Sequence, residues 1–289
     1  MVLDSPGRRF REALTKPPLA IPGVFNALTA RLAERVGFRA VYQSGAALSA
    51  GLGLPDVGLL TQTEFAQQAG YLASAVSIPV ISDADTGFGE ALAVERTVAL
   101  FESAGLAGLH LEDQQLPKRC GHLSGKTLVS QEEMVSKLKA AVAARRDPDF
   151  VIIARTDARA GEGFDAAVER ARAYVEAGAD MIFPEALETP DEFGRFAQAV
   201  NAPLIANMTE FGKSPLLSSA ELAKLGYAAV LFPVTTLRVA MKAVESALHE
   251  IAREGTQKGL LDQMQSRAEL YKLLDYEGFE ERDRSYFGR

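Results

Sequence analysis

Cysteine is nearly missing from this chain, and its 31 basic residues are outnumbered by 38 acidic ones. A single cysteine, Cys120, stands in 289 residues, and there is no tryptophan. One thiol closes no internal disulfide, which suits a reducing, cytoplasmic setting. The formal net charge is −7 and the pI about 5.2, so nucleic acid and anionic membranes are poor partners. No apolar run is long enough to span a bilayer. The opening MVLDSPGRRFREALTK lacks the apolar centre of a signal peptide. Low-complexity tracts and short internal repeats are absent as well.

What remains is an ordinary globular composition, 47% hydrophobic with a mean hydropathy of zero. Length alone suggests two domains, but α/β barrels reach this size as one. Short β-branched runs at 19–24, 40–44, 79–85, 108–113, 150–157, 181–185, 203–208 and 229–234 alternate with helical patterns such as 63–75, 91–103, 131–145 and 164–177. Ser130 with Glu133 reads as a capping box, and Gly105 and Gly178 sit where helix-ending glycines belong. Eight strands alternating with helices predict a parallel sheet, either closed or doubly wound. No early strand leads into a GxGxxG turn. Polar residues end nearly every run: Tyr42 and Ser44, Asp83 and Asp85, Glu112 and Asp113, Arg155 and Asp157, Glu185, Asn207. Chemistry spread over many strand ends marks the catalytic face of a (β/α)8 TIM-type barrel rather than one switch point. The expectation is one barrel domain over 1–289, with 254–289 as a helical extension packed on the barrel or on a neighbouring subunit.

Four constellations carry chemistry. Cys120 lies in LEDQQLPKRCGHLSGK, flanked by Lys118, Arg119 and His122. Cationic neighbours lower a thiol's pKa, and Pro117, Gly121 and Gly125 mark the segment as a loop. A lone cysteine is more often a small buried hydrophobe, but its neighbours here are charged. Asp83 and Asp85 alternate along a strand and are expected to face one site, where they would share a proton or a hard divalent cation, with Glu112 joining from the next strand. Lys118, Arg119, Arg155, Arg238 and Arg267 suit a small polyanion, because arginine grips carboxylates in bidentate fashion. Of these, Arg155 ends the apolar run VIIARTD, where a charge requires a partner. The Ser44–Gly45–Ala46 turn offers backbone N–H groups to an anion. Phe183, Pro184, Leu231 and Pro233 fit an apolar pocket. His110, among leucines, reads as a core histidine.

KRCGH, DADTGFG, YQSG and NMTEFG together resemble the isocitrate lyase and phosphoenolpyruvate mutase superfamily, nearly from end to end. The resemblance implies a (β/α)8 barrel whose last helix swaps between subunits, usually in a homotetramer. It implies Mg²⁺ and cleavage of 2-methylisocitrate, a small polycarboxylate, to pyruvate and succinate in the methylcitrate cycle of propionate catabolism. Other superfamily chemistries are the alternatives: dimethylmalate cleavage, oxaloacetate decarboxylation and phosphonomutase activity. By the same resemblance Cys120 is the general acid and Tyr42 a candidate base. Asp83 and Asp85 hold the metal, with Asp56 and Glu112 nearby through water. Ser44, Gly45, Ala46, Lys118, Arg119, Gly121, His122, Arg155, Glu185, Asn207, Thr209, Arg238 and Arg267 contact substrate. The turn reads SGAA, where relatives carry more glycine.

Overall fold

A computed structural model describes residues 4–119, 121 and 125–288. Eight strands form one parallel sheet: β1 (Leu19–Val24), β2 (Val41–Gln43), β3 (Val80–Asp83), β4 (Gly108–Glu112), β5 (Val151–Thr156), β6 (Met181–Pro184), β7 (Ile205–Asn207) and β8 (Ala229–Phe232). Their order is β6-β5-β4-β3-β2-β1-β8-β7, and a single parallel bridge from Ile182 to Leu204 closes β6 onto β7. The predicted TIM-type barrel is therefore the observed fold, and each predicted run contains one strand.

Alternation along each strand builds two cores. Ile81, Val151, Ile153, Phe183, Ile205 and Leu231 pack inside the barrel, while Leu109, Leu111, Ile152, Ala154 and Ile182 pack outward beneath the helices. The helix Pro6–Leu14 drives Phe10 into the inner cluster. Its Arg11 donates to the Asp149 carbonyl at 2.9 Å and to Asp180 at 2.8 Å, which pins that helix across the N-terminal end. With that end plugged, the opposite mouth is left for chemistry.

Local signals behave as the sequence predicts, with two differences. Gly105 and Gly178 take φ of +87° and +102° at helix ends. Ser130 Oγ accepts the Glu133 N–H at 3.1 Å, so that half of the expected capping box forms. The full reciprocal box is found instead at Thr61 with Glu64, at Ser218 with Glu221 and at Ser266 with Glu269. The third strand also ends sooner than expected. It stops at Asp83, and Asp85 takes φ +45°.

After the helix Thr235–Glu254 the chain runs through a short 3-10 turn into two helices, Arg267–Leu274 and Tyr276–Phe287. The first packs on the helix Ala27–Val36, where Arg31 Nη1 donates to the Leu273 carbonyl at 3.2 Å. No helix among the described residues is long and apolar enough to cross a membrane.

Candidate active site

The polar mouth is the inner face of the barrel continued by one more step. Inward residues are followed, two positions on, by functional ones: Ile81 by Asp83, Ile153 by Arg155, Phe183 by Glu185 and Ile205 by Asn207, with the polar His110 followed by Glu112. A period of two keeps all of them on the same face. All of the functional ones but Glu112 border a cavity of about 90 Å³ lined by Tyr42, Ser44, Ala46, Asp56, Asp83, Lys118, Arg119, Gly121, Arg155, Glu185, Asn207, Thr209 and Arg238, with Phe183, Leu231, Pro233 and Val234 as an apolar side. Pro184, expected in that apolar side, does not line it.

Asp83 and Asp85 do meet, by a turn rather than by strand alternation. Asp83 Oδ1 accepts the Asp85 backbone N–H at 2.9 Å, and Asp83 Oδ2 accepts that of Gly45 at 3.2 Å. A Cβ on Gly45 would stand 2.5 Å from Asp83 Oδ2, so only glycine admits this approach. This N–H of the SGAA turn thus faces a carboxylate of the chain itself. Ser44 caps the following helix Gly45–Gly51, its side chain accepting from Ala47.

Lys118 reaches into the same cluster. Its Nζ lies 2.6 Å from Asp56 Oδ1 and 2.5 Å from Asp85 Oδ1, with the side chain 3% exposed. Burial works against its charge, but Glu112, Asp83 and Asp85 hold its pKa well above the usual lysine value. Burial and the Asp83 charge raise the Asp85 carboxyl to about 7, and burial pushes Glu112 up despite Arg155. Asp83 goes the other way: burial is outweighed by the Lys118 and Arg155 cations and by the Asp85 N–H, and it stays ionised.

Among the described residues, no three Asp, Glu, His or Cys side chains stand in a metal-holding arrangement. The four expected carboxylates, Asp56, Asp83, Asp85 and Glu112, therefore do not form a finished cage, because the Lys118 ammonium takes the space between Asp56 and Asp85. The donor set still fits a hard divalent cation. Glu112 Oε1 is buried with no hydrogen-bond partner among the described residues. Two carboxyls that retain protons beside an ionised third are what a cation would relieve.

Arg155 finds the partners its burial requires. It donates to Asp157 through Nε at 2.9 Å and Nη2 at 3.1 Å, and lies 3.4 Å from Glu112 and 3.5 Å from Glu185. Its guanidinium also sits over the Phe183 ring, 5.2 Å from the centroid. Asn207 Nδ2 donates to both Glu185 oxygens at 3.3 Å, while its own Oδ1 is buried without a partner among the described residues. Gly121 packs directly on this group: a Cβ there would stand 2.4 Å from Arg155 Nη2. Arg238 lies 3.6 Å from Glu210 at the rim.

Sequence reasoning missed His110 as a site residue. Its Nε2 is hydrogen-bonded to the Tyr42 hydroxyl at 2.7 Å and lies 3.6 Å from Asp83 Oδ1. Burial holds its pKa down to about 4, against the pull of Asp83, so the ring is neutral. Burial and Asp83 keep the Tyr42 phenol protonated far above its ordinary range. The signal was available: in GLHLE the histidine shares parity with Glu112, not with the leucines. Asp157 and Lys126 were also unassigned, and Lys126 carries no mark in the sequence.

Arg267 is not brought to the mouth. It opens the helix Arg267–Leu274 and lines a separate groove with Tyr271 and Tyr276, because that helix follows the outer layer and not the barrel rim. Cys120 and His122 lie outside the described residues.

Residues 10–252 match the family model described as phosphoenolpyruvate phosphomutase. A 2-methylisocitrate lyase of Aeropyrum pernix is 54% identical over 97% of this chain and 91% of that protein. Of solved structures, a 2,3-dimethylmalate lyase superposes with a TM-score of 0.92 at 34% identity, over 98% of this chain and 96% of that one. A phosphonopyruvate hydrolase solved with oxalate and Mg²⁺ superposes with a TM-score of 0.87 at 35% identity, over 99% of each chain.

Proposed function

The chain belongs to the phosphoenolpyruvate mutase and isocitrate lyase family, and on that footing we propose that it is a Mg²⁺-dependent carbon–carbon lyase that cleaves 2-methylisocitrate to pyruvate and succinate. The reading places it in the cytoplasm, in the methylcitrate cycle of propionate catabolism. The observation that carries it is the mouth itself: buried carboxylates on one side, Lys118, Arg119, Arg155 and Arg238 on another, and an apolar wall at Phe183 and Leu231. Together they match a small polycarboxylate that bears a methyl group.

Asp83, Asp85, Asp56 and Glu112 would hold the cation, directly or through water. When bound, it polarises the carbonyl that develops as the carbon–carbon bond breaks. The chain's own residues do the rest. The arginines hold carboxylates where negative charge grows. Tyr42 takes the substrate hydroxyl proton while its own passes to the neutral His110 Nε2 at 2.7 Å. The bonding pair then moves to the carbon beside a carboxylate, and a proton from Cys120 completes succinate. Phe183, Leu231 and Val234 exclude water from one side of the cavity.

The homotetramer with exchanged C-terminal helices belongs to the same reading. Val239 and Leu248 on the helix Thr235–Glu254 are 66% and 62% exposed, and Tyr286 and Phe287 on the last helix 82% and 68%. Apolar surface of that extent supports burial against other copies. Arg267 would then serve a neighbouring subunit's mouth.

A substrate panel tests the function. Purified protein with Mg²⁺ and 2-methylisocitrate should release pyruvate, with isocitrate, 2,3-dimethylmalate and oxaloacetate turned over far more slowly. Preferred turnover of another acid would overturn the substrate. One methylene discriminates by only about 1–3 kcal/mol, so the panel must compare kcat/KM and not mere activity.

A further inference from the structure

Lys126 is a lysine in an expensive place. Its side chain is 4% exposed and its partner, the Asp157 carboxylate, is fully buried. Nζ donates to Asp157 Oδ1 at 2.7 Å and to the backbone carbonyl of Gly121. Asp157 is itself immobilised. Arg155 donates to both of its oxygens, and its backbone N–H donates to Asp113 Oδ1 at 2.8 Å. Burial opposes the Asp157 charge, but Arg155 and Lys126 overcome it and hold the carboxyl well below its usual range.

The other end of the strut is a cavity wall. Gly121 lines the cavity, and a Cβ on it would stand 2.4 Å from Arg155 Nη2 and 2.5 Å from Glu185 Cγ. Lys126 itself does not line the cavity. Its ammonium therefore stands behind the cavity wall, and among the described residues it meets the site through the Gly121 peptide and through Asp157, the partner of Arg155.

We propose that Lys126 is a positioning residue: it fixes the Gly121 peptide against Arg155 and Glu185, with Asp157 as the anchor. The assignment deepens the lyase reading and rests on it for its kinetic test. Removing the strut leaves the Arg155–Asp157 pair intact, so substrate binding survives while the geometry of the wall loosens. An error of about 1 Å in such a wall costs about 10²-fold in rate.

The test uses the full chain with Lys126→Met, Lys126→Gln and Lys126→Arg. With Mg²⁺ and 2-methylisocitrate, Lys126→Met should lower kcat by about 10²-fold and leave KM within about threefold, and Lys126→Arg should recover at least about tenfold of that loss. A second readout needs no turnover. Cys120 is the sole thiol of the chain and shares a peptide bond with Gly121. Its alkylation by iodoacetamide should quicken by more than about threefold in Lys126→Met and return toward wild type in Lys126→Arg. Circular dichroism and the thermal midpoint check the fold, and Lys126→Gln, which keeps an N–H₂ donor group without the charge, stands in if the methionine variant does not fold. Values of kcat and alkylation rate within twofold of wild type, or a rise in KM alone, overturn the assignment. If the wild-type protein leaves 2-methylisocitrate untouched, the lyase reading fails and the alkylation rates alone decide Lys126.

Discussion

The Tyr42 hydroxyl and His110 Nε2 lie 2.7 Å apart inside the barrel, and no charged form of either group is stable there at neutral pH. The bond holds the phenol proton between two neutral groups, so a proton taken from substrate is held there only for the duration of the step. Tyr42→Phe should therefore lower kcat by about 10²- to 10⁴-fold, the range of a general base, with KM little changed. The same change strips His110 Nε2 of its partner while Nδ1 already has none among the described residues. A loss of about 1–3 kcal/mol in stability should accompany it, read by urea denaturation.

Mg²⁺ affinity should rise with pH across neutrality. Asp85 is raised to about 7 by burial and by Asp83, so below that value it carries a proton that an incoming cation must displace. Calorimetry in buffers of different ionisation enthalpy should show proton release at pH 6 that fades by pH 8. The stability sign follows from the same group. Its folded pKa lies above the unfolded value of about 4, so the metal-free protein loses stability as pH rises from about 4 through 7. Added Mg²⁺ should accordingly raise the thermal midpoint more at pH 8 than at pH 6. An equal rise at both values would exclude Asp85 as a ligand.

Gly45→Ala tests the turn beside that carboxylate. The new Cβ would stand 2.5 Å from Asp83 Oδ2, so the carboxylate must rotate or the helix Gly45–Gly51 must shift. Metal affinity should fall about 10- to 100-fold, as it does when the support of a ligand is disturbed, with the barrel still folded. Calorimetry with Mg²⁺ measures it, and unchanged affinity would remove Asp83 from the metal site.

Asp113→Asn should cost stability rather than binding. Asp113 Oδ2 accepts from Thr156 Oγ1 at 2.7 Å and from the Tyr174 hydroxyl at 2.8 Å, and Oδ1 accepts from the Asp157 N–H. An amide offers one acceptor and aims an N–H₂ at the remaining donors. Denaturant titration should show a loss of about 2–3 kcal/mol, with Mg²⁺ affinity unchanged.

The order of strands and helices was legible because an apolar strand run and an amphipathic helix announce themselves within a dozen residues. The residues at the strand ends were legible for the same reason: parity along VIIARTD or GLHLE fixes which side chains face inward. Parity failed at Asp85, which lies two residues past the end of the strand in a left-handed conformation, so that a turn, not alternation, brings the second carboxylate back to the first. It also could not say which inward residues touch. His110 looked like core packing until β2 placed Tyr42 across from it.

Residue types and their spacing thus determined the barrel, the face that carries chemistry and the sign of the charges on it. Only the tertiary structure decided the pairings: Lys118 set between Asp56 and Asp85, Arg155 clamped to Asp157, and Lys126 reaching from Asp157 to Gly121. The physical reason is range. Periodicity is a property of neighbours along the chain, whereas a buried charge is satisfied by whatever lies within about 3–4 Å in space, and the barrel's closure chooses which residues those are.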